Sequence, residues 1–351
     1  MPESIFCTLT PKGAESRTKT ERIMTVAALN RPEAEDIKVA DVRPDRELES
    51  CNHLLDDHDA LERFYDENGY ILLRGVFDQA SVAEARDAML RVAETLGLAR
   101  ADDPDGKYTG GAFDGGMEES YIYSGIAARL IEHPVNLAVM EKVLGEPACA
   151  VPIVQYRTYP PNGPTTVVHQ DGFYSPGIQD YKPVWITLTP CTREMGGLAL
   201  AVGQNKRGYF HNTAKPAPYP IPRDAIPDDA WATTDYMPGD VLIVNPFTPH
   251  CGMPNRSDRL RISFDSRVQS AANPSAIAAT VKAVTPDSIT VDAGARGELT
   301  VKVDADTFIR VLHPGKREPF EGFADYTVPG MRLVVVRDGD RAVMLRKASE
   351  G

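Results

Sequence analysis

Two hydrophobic rhythms divide this chain. Leu61, Phe64 and Tyr65 recur at helical spacing, and Asn68-Gly69 ends that run. Residues 70–76 then read as an apolar strand. Asp78 can cap a second helix, in which Val82, Ala85, Met89, Val92, Ala93 and Leu96 keep helical spacing until Gly97. Pro134 opens a third helix, which Gly145 closes. From residue 151 the rhythm shortens. Runs at 151–159, 183–188, 198–202, 240–244 and 260–268 are rich in β-formers and separated by Pro, Gly and Asn clusters. That pattern predicts a mainly β protein with flanking helices, its core a double-sheet jelly roll, or double-stranded β-helix. Further β runs at 279–283, 288–293, 298–303, 331–337 and 342–346 follow. Asp338-Gly339 is a hairpin turn between the last two. They predict a small C-terminal β-barrel-like module.

The domain plan is therefore an N-terminal arm over 1–55, polar, aperiodic and partly disordered; a β-rich core over 56–270; and a small β-rich domain over 271–351. The Gly- and Asp-rich stretch 101–120 is expected to be a long loop acting as a lid. Met24 offers an alternative start to Met1.

Composition narrows the function. With 42% hydrophobic residues in 351, the chain can bury a sizeable core. A formal net charge of −12 disfavours nucleic acid and anionic membranes as partners, and tilts the expectation away from a polyanionic acyl-CoA. The five cysteines are scattered without CxxC spacing. This argues against a disulfide framework or zinc knuckle and for free thiols in a reducing cytoplasm. Cys251 adjoins His250, so its oxidation would bear on the site. The first thirty residues lack a long apolar run, and no stretch approaches a membrane span. The expectation is a cytoplasmic protein acting on a small molecule. Oligomerisation and pocket closure are both open as uses of residues 277–347.

The chemistry lies in His169-Gln170-Asp171, His250 and Arg261. Alone, an HxD pair is common by chance, and its ordinary reading is a surface turn. On an extended chain the spacing of two puts both side chains on one face. The second half changes the reading. A Gly239-Asp240 turn and an apolar strand lead to His250; a polar turn and a return strand follow. On that strand Arg259, Arg261, Ser263, Asp265 and Arg267 alternate with Leu260, Ile262, Phe264 and Val268. A charged face inside a barrel makes sense when the lumen holds a charged ligand. Two imidazoles and one carboxylate can fill one triangular face of Fe(II) and leave the other open. Arg261 can fork onto the far carboxylate of a keto-acid co-substrate.

The motifs "HQDGFY", "VWITLTPCTREMGGLALAVGQNKRG", "GDVLIVNPFTPHCG" and "RLRISFDSR", with the opening "FYDENGYILLRGVFD", resemble in order the phytanoyl-CoA dioxygenase (PhyH) family of Fe(II)/2-oxoglutarate oxygenases. The resemblance covers residues 56–270. It implies iron ligands His169, Asp171 and His250, with Arg261 on the 2-oxoglutarate C5 carboxylate and Ser263 assisting. It places Trp185 near the co-substrate, with Gln155 and Asn162 as further contacts. It implies Fe(2+), 2-oxoglutarate and O2 as the reacting set, with succinate and CO2 released. Related halogenases lack the carboxylate ligand; Asp171 therefore points to hydroxylation or another C–H oxidation. The alternatives are a non-catalytic jelly-roll binding protein and a cupin-like metal isomerase without 2-oxoglutarate. His211 reads as a loop or surface residue. Some of Tyr156, Arg157, Tyr159, Phe173 and Tyr174 are expected to line the pocket, the rest being ordinary strand packing.

Overall fold

The computed structural model describes residues 29–112, 125–175, 177–178, 180–312 and 316–348. Its helices are α1 (His58–Asn68), α2 (Gln79–Thr95), α3 (Ile126–Ile131), α4 (Pro134–Leu144), α5 (Asp171–Tyr174) and α6 (Phe323–Tyr326). Its strands are β1 (Arg46–Glu47), β2 (Tyr70–Leu73), β3 (Ala148–Ala150), β4 (Gln155–Tyr159), β5 (Tyr181–Thr187), β6 (Leu198–Ala201), β7 (Trp231–Thr233) and β8 (Val241–Val244), then β9 (His250–Gly252), β10 (Arg261–Ser270), β11 (Ala276–Thr285), β12 (Ser288–Asp292), β13 (Glu298–Lys302), β14 (Phe308–Arg310), β15 (Arg332–Asp338) and β16 (Arg341–Lys347).

The strands form three sheets. The large sheet has the order β2-β8-β5-β10-β3, with β4 also paired to β10. A smaller sheet, β1-β7-β6-β9, faces it. Leu72, Trp185, Leu242 and Val244 from the large sheet meet Leu198, Leu200 and Ala232 from the small one in a shared apolar cluster. The other face of the large sheet is apolar as well. Ile71, Leu73, Ile186, Ile243, Ile262 and Phe264 lie there under Leu61, Met89, Leu90, Ala127 and Met140 of the four longer helices. Helices cover one side of the large sheet and the small sheet covers the other, as a jelly-roll core requires.

Local signals set the helix limits. Asp57 accepts the Ala60 amide at 3.0 Å and Asp78 the Ser81 amide at 2.7 Å, each satisfying a free helical N–H. Gly69 closes α1 at φ 79°, and a Cβ there would stand 2.2 Å from Thr248 Oγ1. No other residue fits that turn.

The arm is more tightly built than its polar sequence suggests. From Leu29 it runs along the small sheet, where β1 pairs in parallel with β7, and it buries Ile37, Val42 and Leu48. A few apolar residues without a period sufficed to dock it. Residues 101–112 are tied down too. Tyr108 donates its amide to Asp258 O, and Lys107 bridges to Arg259. Residues 113–120 of the expected lid lie outside the described residues, as do Cys7, Met24 and His313.

Residues 276–347 form the third sheet, ordered β13-β12-β11-β15-β16-β14, with its own core around Ile289, Val291, Leu333, Val335 and Leu345. The barrel expectation is not confirmed: β13 and β16 meet at the single parallel register pair Lys302 and Arg341. This sheet packs against the jelly roll through Val334, Val336 and Met344, which share a cluster with Val151, Ile153, Ile178 and Tyr181.

Candidate metal and co-substrate site

His169 and His250 come together through the backbone. The two residues form an antiparallel bridge, each amide donating to the other's carbonyl at 2.9 Å. Their ring centroids lie 4.2 Å apart. Asp171 Oδ1 lies 3.5 Å from His169 Nε2 and 4.0 Å from His250 Nε2. One ligand atom from each residue falls within 4.8 Å of the others. Asp171 is the first residue of the one-turn helix α5, and only Gln170 between it and His169 is extended. The sequence expectation of a continuous extended segment is corrected to that extent. The extended Gln170 keeps both neighbours on one side, and the turn then carries the chain away past Pro246. The turn needs Gly172, where a Cβ would stand 2.9 Å from the Tyr209 hydroxyl and 3.2 Å from Pro246.

Both imidazoles are oriented for ligation. His169 Nδ1 lies 2.8 Å from the Val167 carbonyl, and His250 Nδ1 lies 3.0 Å from the Thr248 carbonyl. A carbonyl only accepts, so each Nδ1 carries the proton and each Nε2 presents a lone pair to the centre. Burial, reinforced by the neighbouring His169, pushes His250 down to about 4, so it is neutral at physiological pH. Burial alone would raise the Asp171 carboxyl. The adjoining His169 and His250 and the charge of Arg267 outweigh it and hold Asp171 well below the usual carboxylate range. His250 and Asp171 are thus in their ligating states before any ion arrives.

Gln170 and His211 hold this turn from behind. Gln170 donates to Gly208 O at 2.8 Å and Phe247 O at 2.7 Å, and accepts the Phe210 amide at 2.8 Å. Its own amide donates to His211 Nε2 at 3.2 Å. His211 Nδ1 meets Tyr219 O at 2.6 Å, and its ring stacks on Phe173 at 4.2 Å. His211 lies in a loop, as read, but is buried, which corrects only the surface half of that expectation. "GYFHN" carried no periodicity that would have shown this.

The polar face of β10 looks into the space between the sheets. Arg261 is 1% exposed. Its guanidinium lies 4.1 Å from the Tyr159 ring centroid, donates to Gly196 O, and stands beside Gly252, two residues beyond His250. Arg261 Nε and Ser263 Oγ are buried without a hydrogen-bond partner. Asp265 is taken by Arg157 Nε at 2.9 Å, and Arg157 also donates to Gln155. Arg259 falls outside this face: it pairs with Asp105 at 3.0 Å near the surface. Trp185 lies opposite Asp265 and packs edge-on to Tyr236 at 4.9 Å, within the apolar cluster. Asn162 sits exposed in the turn after β4 at φ 55°, its amide bound to Asn255 O. Tyr156 belongs to the helix-covered core, where its hydroxyl accepts the Ala127 amide. Cys251 points away from the centre, and burial pushes its thiol up to about 12. So little thiolate forms that oxidation there is disfavoured.

A family model for phytanoyl-CoA dioxygenase (PhyH) matches residues 65–263. The 1-deoxypentalenic acid 11-beta-hydroxylase of Streptomyces arenae is 34% identical over 244 residues, spanning 64% of this chain and 85% of that protein. The protein of the same name from Streptomyces exfoliatus is 34% identical over 241 residues, with the same shares. Among solved structures, the non-heme alpha ketoglutarate dependent epimerase SnoN from nogalamycin biosynthesis aligns over 61% of this chain and 84% of its own, at 22% identity and TM-score 0.43. EvdO2 from Micromonospora carbonacea var. aurantiaca, complexed with 2-oxoglutarate, aligns over 62% and 94%, at 21% identity and TM-score 0.44. At that level of overlap the structural likenesses add nothing to the strand pairings described above.

Proposed function

The chain belongs to the phytanoyl-CoA dioxygenase family and is an Fe(II)/2-oxoglutarate-dependent dioxygenase, and from that premise we propose that it hydroxylates a C–H bond of a small molecule. Membership displaces the two alternatives raised by the sequence, a binding protein without turnover and an isomerase without 2-oxoglutarate. In our reading His169, Asp171 and His250 hold the iron, while Arg261 and Ser263 receive the distal carboxylate of 2-oxoglutarate. The observation that carries this reading is the convergence of three ligand atoms within 4.8 Å, with both histidine Nδ1 atoms engaged elsewhere. The donor set suits a hard-to-borderline divalent ion, with one face left open. The orphaned Arg261 Nε and Ser263 Oγ are what a site awaiting a carboxylate would hold.

When bound, iron with 2-oxoglutarate and O2 supplies the oxidising power, and succinate and CO2 leave. The protein's own work is orientation. Val167 O and Thr248 O fix the imidazole tautomers. Gln170 and His211 hold the turn on which Asp171 sits. Tyr159 packs under the Arg261 guanidinium and keeps its fork aimed across β9. The helix-covered large sheet and the apolar cluster around Trp185 keep bulk water from the space between the sheets.

The reading is tested by adding Fe(II) and 2-oxoglutarate anaerobically and following the visible charge-transfer band of the chelate. We expect the band with the wild-type protein and its loss in His169→Ala, Asp171→Ala and His250→Ala, with the circular dichroism of each variant unchanged. A full band in any of the three would refute that ligand's assignment. The relatives named above act on 1-deoxypentalenic acid. The same compound, within a library scored by succinate release, is a first candidate substrate.

A further inference from the structure

β10 carries a second buried guanidinium that the reading above leaves without work. Arg267 is 5% exposed and lies opposite Pro183 of β5, on the same strand face as Arg261, Ser263 and Asp265. Its Nε has no hydrogen-bond partner, and among the described residues its side chain makes one long contact, from Nη1 to Ile153 O at 3.5 Å. Among the described residues it makes no ion pair. The nearest carboxylate on its own strand, Asp265, is already held by Arg157. Lys182, on the adjacent strand β5 opposite Val268, pairs with Glu62 of α1 at 2.7 Å on the opposite face. Asp171 and Tyr181 feel the Arg267 charge, and Asp171 makes no ion pair with it.

A buried cation without a counter-anion is strongly penalised unless a ligand supplies the charge. In the reading above, the two carboxylates of the co-substrate have places already, one at the metal centre and one at Arg261. Arg261 and Arg267 are six residues apart on one strand, about 20 Å along it. Arg261, beside Gly252, is therefore placed by the His250 end of the site, and Arg267 within electrostatic reach of Asp171.

We propose that Arg267 is the substrate-binding cation of this site, pairing with a carboxylate on an otherwise apolar small substrate. The proposal rests on the reading of the site given above. The free Nε edge of one guanidinium matches a planar monoanion through two parallel bonds. The surroundings supply the rest of the fit. Ile153, Ile178 and Tyr181 form an apolar wall at this end, backed by Val334 and Met344 of the third sheet. A substrate with one carboxylate and a hydrocarbon body would satisfy both features.

The test uses protein loaded anaerobically with Fe(II) and 2-oxoglutarate, and a panel of alicyclic and aromatic carboxylic acids, each beside its primary amide. Melting temperature reports binding; succinate release after admission of air reports coupling. We expect acids to stabilise and stimulate at concentrations at least about tenfold below their amides. We expect Arg267→Gln to bring the paired concentrations within about threefold, and Arg267→Lys to restore part of the difference. The charge-transfer band serves as control. Its absence in wild-type protein would sink the reading of the site; its loss only in Arg267→Gln would make Arg267 a co-substrate anchor and sink this proposal. The proposal also fails if acids and amides act alike, if no acid acts, or if Arg267→Gln keeps the preference.

Discussion

At the scale of single residues, the site depends on where protons and charges are forbidden to go. Burial, with His169 and His250 close by, pushes His211 down to about 4. The unfolded chain would protonate it near 6.5. Its folded pKa is depressed, so its contribution is present above pH 6.5 and is lost as pH falls through 4. One such histidine accounts for about 3 kcal/mol at most. Urea unfolding of metal-free protein between pH 7 and 4 should show stability falling, and His211→Gln should flatten that fall by about one proton. An unaltered slope would mean that His211 does not hold the Gln170 amide in the neutral state described. Arg261 and Arg259 make a second contrast. Arg261→Gln should raise the 2-oxoglutarate half-saturation by ~2–5 kcal/mol equivalent, the cost of stripping a buried carboxylate of its partner. Arg259→Gln, which loses only a partly exposed pair with Asp105, should change it by less than about twofold. The reverse ranking would put the wrong arginine in the lumen.

Elements show why part of the site could be read from the sequence and part could not. The alternation on β10 assigns Arg261, Ser263, Asp265 and Arg267 to one face, because a strand has a strict period of two. The structure keeps that register and excludes only Arg259, where the strand has not yet begun. The pairing of His169 with His250 needed the motif order, since no local rhythm joins two bridges so distant in the chain. Strands of three residues escaped the pattern altogether. β7 and β9 are short, fully buried runs next to turns, and periodicity needs longer windows. Gln155 and Arg157 show a further limit. Alternation puts both side chains on the polar face, but only coordinates show that each is spent on its neighbours, Arg157 on Asp265 and Gln155 on Arg157.

On the scale of the whole molecule, the third sheet packs against the strand and loop that carry the site residues. Gly177, just after α5, faces Val343 of β16 so closely that a Cβ would stand 2.3 Å from it. Gln269 at the end of β10 bonds both the carbonyl and the amide of Ala276, joining the arginine-bearing strand to β11. Val343→Asp should therefore lower the melting temperature and loosen the loop after Asp171, seen as faster proteolysis near residues 175–181. Normal melting and proteolysis would leave the third sheet without a part in supporting the site. Sequence rhythm announced this sheet but not its contact with the core, because packing between sheets leaves no periodic trace. The bridge between His169 and His250 has a different kind of consequence. Those residues are roughly eighty apart in the chain, and bringing such ends together costs about 4 kcal/mol of loop entropy. In a zinc finger the ion meets that cost when it binds, so the peptide folds only when loaded. Here a pair of backbone hydrogen bonds has met it already. Iron should enter a preorganised seat, and chelation should leave the fold standing. The His169 and His250 amides should exchange with deuterium as slowly without iron as with it; rapid exchange in the metal-free protein would show that the ion, not the ladder, closes the loop.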